Sequence, residues 1–236
     1  HFSPAQAASC KYPPHLLALW CTPPDALACP VFDPDSGGTL EYRQLCRDPK
    51  FKDIWETSYS NELGRLCQGI RTGTKGPKKQ QVEVTDTYRL ILFKDIPPEP
   101  RKEICFSCVV CEMKPNKEDP NHMCITVAGN QIIFPGEVAT PTALLELVKL
   151  MINSVLSRPG AKFCSFNIAN FYLGTPMDRP EYVKIKLSDI PQGFIDEYNL
   201  TAYAHDGWIF FEIIKGCYGL PQSGKLANNL LRKQLC

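Results

Sequence analysis

The chain has 236 residues, 44% of them hydrophobic, which is enough apolar material for a buried core and excludes disorder over most of the length. Its 26 Lys and Arg residues against 25 Asp and Glu residues give a net charge of +1. That balance excludes a uniformly basic protein that coats nucleic acid, although a local basic patch remains compatible with it. No apolar run approaches the roughly 18 residues of a membrane span, so no membrane partner is expected.

Proline and glycine divide the first half of the chain into short elements. Residues 1–28 are rich in Pro and Ala without a sustained period, which predicts an extended arm. A short helix is predicted near Ser58–Cys67, a strand at Tyr88–Phe93, and an exposed basic loop over Arg71–Gln80. Two β-rich runs, Ile104–Met113 and Met123–Ala128, flank a polar stretch and predict a hairpin.

The second half has stronger helix and strand signals. Thr140-Pro141-Thr142 is typical of a helix start, and apolar residues then recur at three- and four-residue steps from Leu144 to Val155. We expect that apolar stripe to lie in the core. Strands are predicted at Phe163–Ile168, Tyr182–Leu187 and Trp208–Ile214, and a last helix runs from Gln222 or Ser223. Together with the hairpin, this order predicts an α+β fold.

Cysteine is frequent, and one group of cysteines has metal-ligand spacing. Cys105, Cys108 and Cys111 follow a C-x-x-C-x-x-C pattern, with His122 and Cys124 downstream. The intervening residues are β-formers, and in a strand Cys108 points to the face opposite Cys105 and Cys111. A structural metal site therefore stays an alternative, but no functional metal centre is expected from this cluster.

Several segments resemble the reverse transcriptases of copia-type LTR retrotransposons. Phe166–Leu173 resembles the first catalytic motif, and Lys215–Gly224 resembles the downstream Tyr-Gly-Leu-Pro-Gln block. Three shorter segments also match polyproteins of this kind: Tyr42-Arg43-Gln44-Leu45, Asn61-Glu62-Leu63-Gly64-Arg65-Leu66 and Thr126-Val127-Ala128-Gly129-Asn130. The resemblance covers roughly residues 30–235.

The resemblance implies a partial right-hand polymerase. Residues 29–135 would form a fingers-like region, and residues 136–236 would form an incomplete palm that ends before the second catalytic carboxylate motif. Intact relatives are RNA-directed DNA polymerases, nucleotidyltransferases that hold two Mg²⁺ ions with carboxylates. Their partners are an RNA or DNA template–primer, a dNTP and the remainder of the polyprotein.

The resemblance also assigns roles to individual residues. Tyr172 would pack beneath the sugar of the incoming nucleotide, while Gln222 would contact that nucleotide near its 3′-hydroxyl. Ile168 belongs to the same nucleotide site. Basic residues of the exposed loop would contact nucleic-acid phosphates; they are Arg71, Lys75, Lys78 and Lys79.

Departures from the family pattern predict a catalytically inactive chain. Asn167 occupies the position of the first catalytic Asp, and a neutral amide cannot replace a charged Mg²⁺ ligand. Cys124 occupies the position of an Arg expected to bind the triphosphate. Because Asp to Asn and Arg to Cys each require a single C-to-T change on one strand, we hypothesise a decayed, pseudogene-like copy of a transposable element. A non-catalytic nucleic-acid-binding module is the remaining alternative.

Overall fold

The computed structural model describes residues 29–33, 37–70, 83–115, 117, 119–140, 143–164 and 168–235. In these ranges the chain forms six strands, β1 Cys29–Pro30, β2 Tyr88–Ile91, β3 Cys105–Met113, β4 Asn121–Val127, β5 Pro176–Lys186 and β6 Trp208–Lys215. It also forms five α-helices, α1 Tyr42–Leu45, α2 Pro49–Leu66, α3 Leu145–Leu156, α4 Gln192–Tyr198 and α5 Ser223–Leu235. This mixture confirms the predicted α+β class.

The described residues form two compact units. Unit 1 contains the described residues up to Ser58 together with Val110–Cys124, and unit 2 contains Tyr59–Val109 and the described residues from Ile125 onward. Each unit is therefore built from segments that are not consecutive in the chain. The predicted arm at residues 1–28 lies outside the described residues, and the predicted division near residue 135 stays a prediction.

Unit 1 combines the start of α2, the short helix α1 and the turn end of the β3–β4 hairpin. β1 pairs antiparallel with the far end of β3, with Cys29 opposite Met113. α2 begins at Pro49, which needs no N–H donor at the first helical position. The Asp48 side chain accepts a hydrogen bond from the Lys50 N–H at 2.9 Å, which caps the helix start.

Unit 2 is organised around a mixed sheet in the order β3, β5, β6, β2. The first residues of β3 pair in parallel with β5, whereas β6 pairs antiparallel with both β5 and β2. The side chains that alternate toward one face of the central strands are fully or almost fully buried; they are Val183, Ile185, Ile209, Phe211 and Ile213. This face forms the main core of the unit.

A second, smaller core lies on the other face of the same sheet. Tyr182 and Phe210 project there and are buried together with Ile96 and Ile104. Phe93 and Trp208 pack at its margin and stay partly exposed. Both faces of the central strands are therefore apolar in part, but only one is covered along its whole length.

Helix α3 corrects one expectation from the sequence. The predicted apolar periodicity is present, but none of its described residues is buried, and Leu144, Leu147 and Met151 are 63%, 53% and 56% exposed. The stripe predicted to be core is therefore on the surface. Periodicity shows that apolar residues share a helix face, but it carries no information about whether another element covers that face.

The predicted strand at Phe163–Ile168 is the second difference. Phe163, Cys164 and Ile168 lie outside the strands, and the other residues of that segment are not described. The central position of the sheet in unit 2 is taken by β5 and β6 instead. No helix in the described ranges is both long enough and apolar enough to cross a membrane.

Candidate functional site

The end of β4 and the loop before α5 are in direct backbone contact. The Val127 N–H donates to the Tyr218 carbonyl oxygen at 2.8 Å. Gly219 has a positive φ of 93°, and a Cβ atom added there would overlap the carbonyl oxygen of Val127. A Cβ atom at Gly129 would likewise overlap the Gly219 carbonyl oxygen. Glycine is therefore required at both positions for this close approach.

A tight turn before β5 joins the same loop. Asn170 adopts a left-handed φ of 52°, and its carbonyl oxygen accepts the Gly174 N–H at 2.8 Å. The Gly216 N–H donates to the Thr175 carbonyl oxygen at 2.7 Å, which ties the turn to the end of β6. A Cβ atom at Gly216 would lie 2.8 Å from the Tyr172 carbonyl oxygen, so this contact also needs glycine.

The Tyr172 ring lies between these segments. Its centroid is 5.4 Å from that of Tyr218 and 5.9 Å from that of Phe171. The ring is half-buried, and a Cβ atom added at Gly224 would lie 3.7 Å from the Tyr172 hydroxyl. Tyr172 therefore packs against the Lys215–Gly224 segment, which resembles the same polymerase family. Its predicted role beneath a nucleotide sugar stays a prediction.

Arg65 connects α2 to the Asn170 turn. Its guanidinium donates to both carboxylate oxygens of Glu62, at 2.8 and 2.7 Å, and to the side-chain oxygen of Asn170 at 2.8 Å. A bidentate pair of this kind fixes the plane of the guanidinium and so aims its remaining donor. The Asn170 side chain is thereby held although its backbone is in an unfavourable region.

Gln222 belongs to a charged cluster of which Gln222 and Glu181 are buried and Arg179 is exposed. Gln222 is 1% exposed, and its amide nitrogen donates to Glu181 at 2.9 Å. Arg179 donates to the same carboxylate at 2.9 Å and to Glu103 at 3.2 Å. Burial raises the pKa of Glu181, and the hydrogen bond and charge of Arg179 offset only part of this rise.

The amide oxygen of Gln222 is the unusual atom of this cluster. It is buried and accepts no hydrogen bond from any described residue. The Gln222 amide is oriented by Glu181, because a flipped amide would place its oxygen against the carboxylate. Its predicted contact with a nucleotide stays a prediction.

The other predicted site residues are placed as follows. Ile168 is 38% exposed and lies two residues before Asn170. Cys124 is half-buried on β4 and belongs to unit 1. The remaining predicted residues lie outside the described ranges; they are Asn167, Arg71, Lys75, Lys78 and Lys79.

The donors expected for metal binding do not converge in the described part of the chain. There, no three His, Cys, Asp or Glu side chains lie together in a way that could hold a metal ion. Cys105 is buried on β3 and Cys108 is exposed, as alternation along a strand requires.

Sequence reasoning missed the residues that hold these segments together. Arg65 lies in a segment identified by resemblance, but its hydrogen bond to Asn170 spans 105 residues and has no local signal. Glu181 looks like an ordinary strand residue, and only its burial distinguishes it. The glycines at 129 and 219 do stand in the matched segments, so their positions could have suggested a close backbone contact.

Comparisons with known proteins identify no relative. No family model matches the chain, and neither the curated proteins nor the solved structures include a significant match.

Proposed function

We propose that the chain derives from the reverse transcriptase of a copia-type retrotransposon and has lost nucleotidyl transfer. One observation carries the proposal: four of the five segments chosen only by their resemblance to that family lie in unit 2 and contact one another there. A backbone hydrogen bond joins Val127 to Tyr218, a ring contact joins Tyr172 to Tyr218, and a side-chain hydrogen bond joins Arg65 to Asn170. Segments matched by chance have no reason to be neighbours in the fold.

The loss of activity follows from the residue at the first carboxylate position. Mg²⁺ binds hard anionic oxygens, and Asn167 offers only a neutral amide. Loss of an essential charged group costs on the order of 10³-fold in rate or more. Cys124 in place of an arginine would also remove a cation that binds the triphosphate. Both changes replace charged groups that would bind Mg²⁺ or the triphosphate, so under the proposal they act on catalysis.

Binding of nucleic acid does not need those carboxylates. Phosphate contacts are made by Lys and Arg side chains, and the chain has a cluster of four at Arg71, Lys75, Lys78 and Lys79. The proposal therefore assigns the chain to a transposable-element polyprotein inside the cell, with a template–primer as its partner. In this form the protein binds an RNA–DNA duplex but does not extend it.

A binding assay tests the proposal directly. A blunt-ended RNA–DNA heteroduplex carrying a fluorophore is titrated with the full chain at salt concentrations of roughly 50–200 mM. Affinity should fall steeply with salt, and the variant R71Q/K75Q/K78Q/K79Q should weaken binding and flatten the salt slope. The matched control K50Q/K117Q/K149Q/K162Q removes the same charge from exposed positions and should bind like the wild type.

Three results would overturn the proposal. A salt-independent or undetectable interaction with the heteroduplex would remove the nucleic-acid partner. Extension of an overhanging template–primer by the wild-type chain with Mg²⁺ and dNTPs would show that Asn167 does not abolish catalysis. Equal effects of the two charge variants would show that net charge alone drives binding.

A further inference from the structure

The second face of the sheet in unit 2 carries cations and aromatic rings side by side. Lys184 and Lys186 alternate with the buried residues of β5 and project to the face opposite the main core. Register places Lys184 opposite Phe106 on β3 and Lys186 opposite Trp208 on β6. We call Phe106, Lys184, Lys186 and Trp208 the aromatic–lysine patch.

The geometry within the patch is close. The Lys184 ammonium lies 4.5 Å from the centroid of Phe106 and 5.1 Å from that of Trp208. The Lys186 ammonium lies 5.4 Å from Trp208, and the two rings are 5.5 Å apart. Phe106 is 38% exposed, so the patch is open to solvent at that ring.

A second aromatic group continues along the same face. Phe93 and His205 are stacked with centroids 4.3 Å apart, and the Arg101 guanidinium lies 5.0 Å from the Phe93 ring. His205 is bridged to Trp208 through the backbone, so the two groups adjoin. Asp206, beside His205, is 86% exposed, and its carboxylate lies 3.5 Å from the Nε2 atom of His205.

The cations of this face are not neutralised by neighbours. Within the described part of the chain, Lys184 and Lys186 form no ion pair, and Arg101 donates only to the backbone carbonyls of Ile96 and Lys94. A cation over a ring stabilises a sheet surface by about 0.5–1 kcal/mol at exposed sites, so packing alone can account for one such pair. Three cations without an acidic partner among the described residues, Lys184, Lys186 and Arg101, lie beside two pairs of aromatic rings. This combination favours an anionic ligand that also contains planar rings able to stack.

An open depression adjoins the patch. It has a volume of about 580 Å³ and is bordered by Trp208 and Lys186 together with the polar side chains of Ser188, Gln192, Thr201 and Asp206. This volume is within the range of small-molecule sites, roughly 300–1,000 Å³. Its hydroxyl and amide groups can donate to and accept from the edge of a nucleobase.

We propose that this face binds a single strand of nucleic acid, with bases stacked on Phe106 and Trp208 and phosphates contacted by Lys184, Lys186 and Arg101. Proteins bind single strands in this manner because every base has a π-face that can stack on a ring and every phosphodiester linkage carries a negative charge. RNA and DNA share both features. The inference rests on the patch alone and does not use the polymerase ancestry or the basic loop.

The test measures binding of labelled oligo(U) and oligo(dT) of about 12 nucleotides to the full chain. K184Q/K186Q should weaken binding at least about tenfold and lower the magnitude of the salt slope by about 1.4. F106L removes a stacking ring but keeps an apolar side chain; it should weaken binding by about 5- to 100-fold with the salt slope unchanged. The tighter of the two oligonucleotides identifies RNA or DNA as the ligand.

Controls separate this inference from a folding defect and from the proposed function. K149Q/K162Q removes two exposed charges from other positions and should bind both strands like the wild type, and all variants should retain the wild-type circular dichroism spectrum. Absence of single-strand binding, or wild-type affinity in both K184Q/K186Q and F106L, overturns the inference. The basic-loop variant R71Q/K75Q/K78Q/K79Q should weaken heteroduplex binding and keep single-strand binding, so each proposal can fail alone.

Discussion

Gly219 and Val127 are packed backbone against backbone, with no space between them for a side chain. The N–H of Val127 donates to the carbonyl oxygen of Tyr218, the residue before Gly219, at 2.8 Å. This contact joins two segments that are about ninety residues apart in the chain. A Cβ atom at Gly219 would approach backbone more closely than one at any other described glycine.

Replacement of Gly219 by Ala should therefore destabilise the chain by at least about 3 kcal/mol, because strain from the positive φ adds to the overlap with Val127. Gly207 provides a matched control, since it also has a positive φ but a Cβ atom there would meet nothing within 4 Å. G207A should cost only about 1–2 kcal/mol. Urea denaturation measures both, and equal losses would contradict the close approach.

The buried carboxyl of Glu181 should make stability depend on pH. Burial raises its pKa in the folded chain above the unfolded value, so the native state binds the extra proton. The stabilising contribution is complete below the unfolded pKa and is lost as pH rises through the folded pKa. E181Q should therefore become more stable relative to wild type as pH increases from about 4 to 7.

Equilibrium denaturation at several pH values checks this expectation. E146Q, at an exposed position of α3, gives the baseline for loss of one carboxylate. A difference between E181Q and wild type that stays flat across the range, or falls as pH rises, would show that Arg179 fully compensates the burial of Glu181.

Arg65 and Asn170 should be strongly coupled. Their hydrogen bond is 2.8 Å long and partly buried, and the arginine side chain is 22% exposed. A double-mutant cycle with R65M and N170G should give a coupling free energy of about 1–2 kcal/mol. The pair Arg89 and Asp86 is the control, since Asp86 also has a positive φ but Arg89 is 55% exposed.

That control cycle, with R89M and D86G, should give less than about 1 kcal/mol. Comparable coupling in the two cycles would mean that Arg65 acts like a surface charge rather than as a clamp on the Asn170 turn.

The thiols of β3 should differ in reactivity. Burial raises the pKa of Cys105 to about 11, so this thiol is protonated near neutral pH and cannot serve as a thiolate ligand or nucleophile. Burial likewise raises the pKa of Cys111 to about 12. Cys108 is exposed. C108S should therefore remove one rapidly labelled thiol, and C105S should remove none.

Metal content provides the companion measurement. Chain purified with zinc present should retain far less than one ion after dialysis, because protonated thiols on two strand faces do not form a tetrahedral site. Stoichiometric zinc that disappears in C105S would instead establish the cysteine cluster as a metal site.

Local patterns predicted several elements well. Alternation and turn composition located the β3–β4 hairpin to within two residues, and the predicted strand at Trp208–Ile214 is confirmed as Trp208–Lys215. α5 begins at Ser223 as expected. α4 was missed, because Gln192–Tyr198 is too short to show a helical period.

The contacts of the candidate site were beyond sequence reasoning. In the sequence, Gly219 cannot be distinguished from a glycine in an ordinary turn, although in the structure its backbone contacts that of Val127. The burial of Glu181 depends on the pairing of strands that are distant in the chain. The apolar stripe of α3 illustrates the same limit on sequence-based prediction, because its periodicity predicts burial and the stripe is exposed. A single sequence records which residues alternate or recur, but not which surfaces end up covered.

The long chain separation between interacting segments has a consequence for biogenesis. β2 pairs with β6, which follows it by more than a hundred residues in the chain. Arg65 and its hydrogen-bond partner Asn170 are 105 residues apart. Loop closure over such distances slows folding. During synthesis the first strand of this sheet must therefore leave the ribosome without its partner, and at about 5–20 residues per second it stays unpaired for several seconds. Chaperone capture of nascent chains is expected to concentrate in that interval.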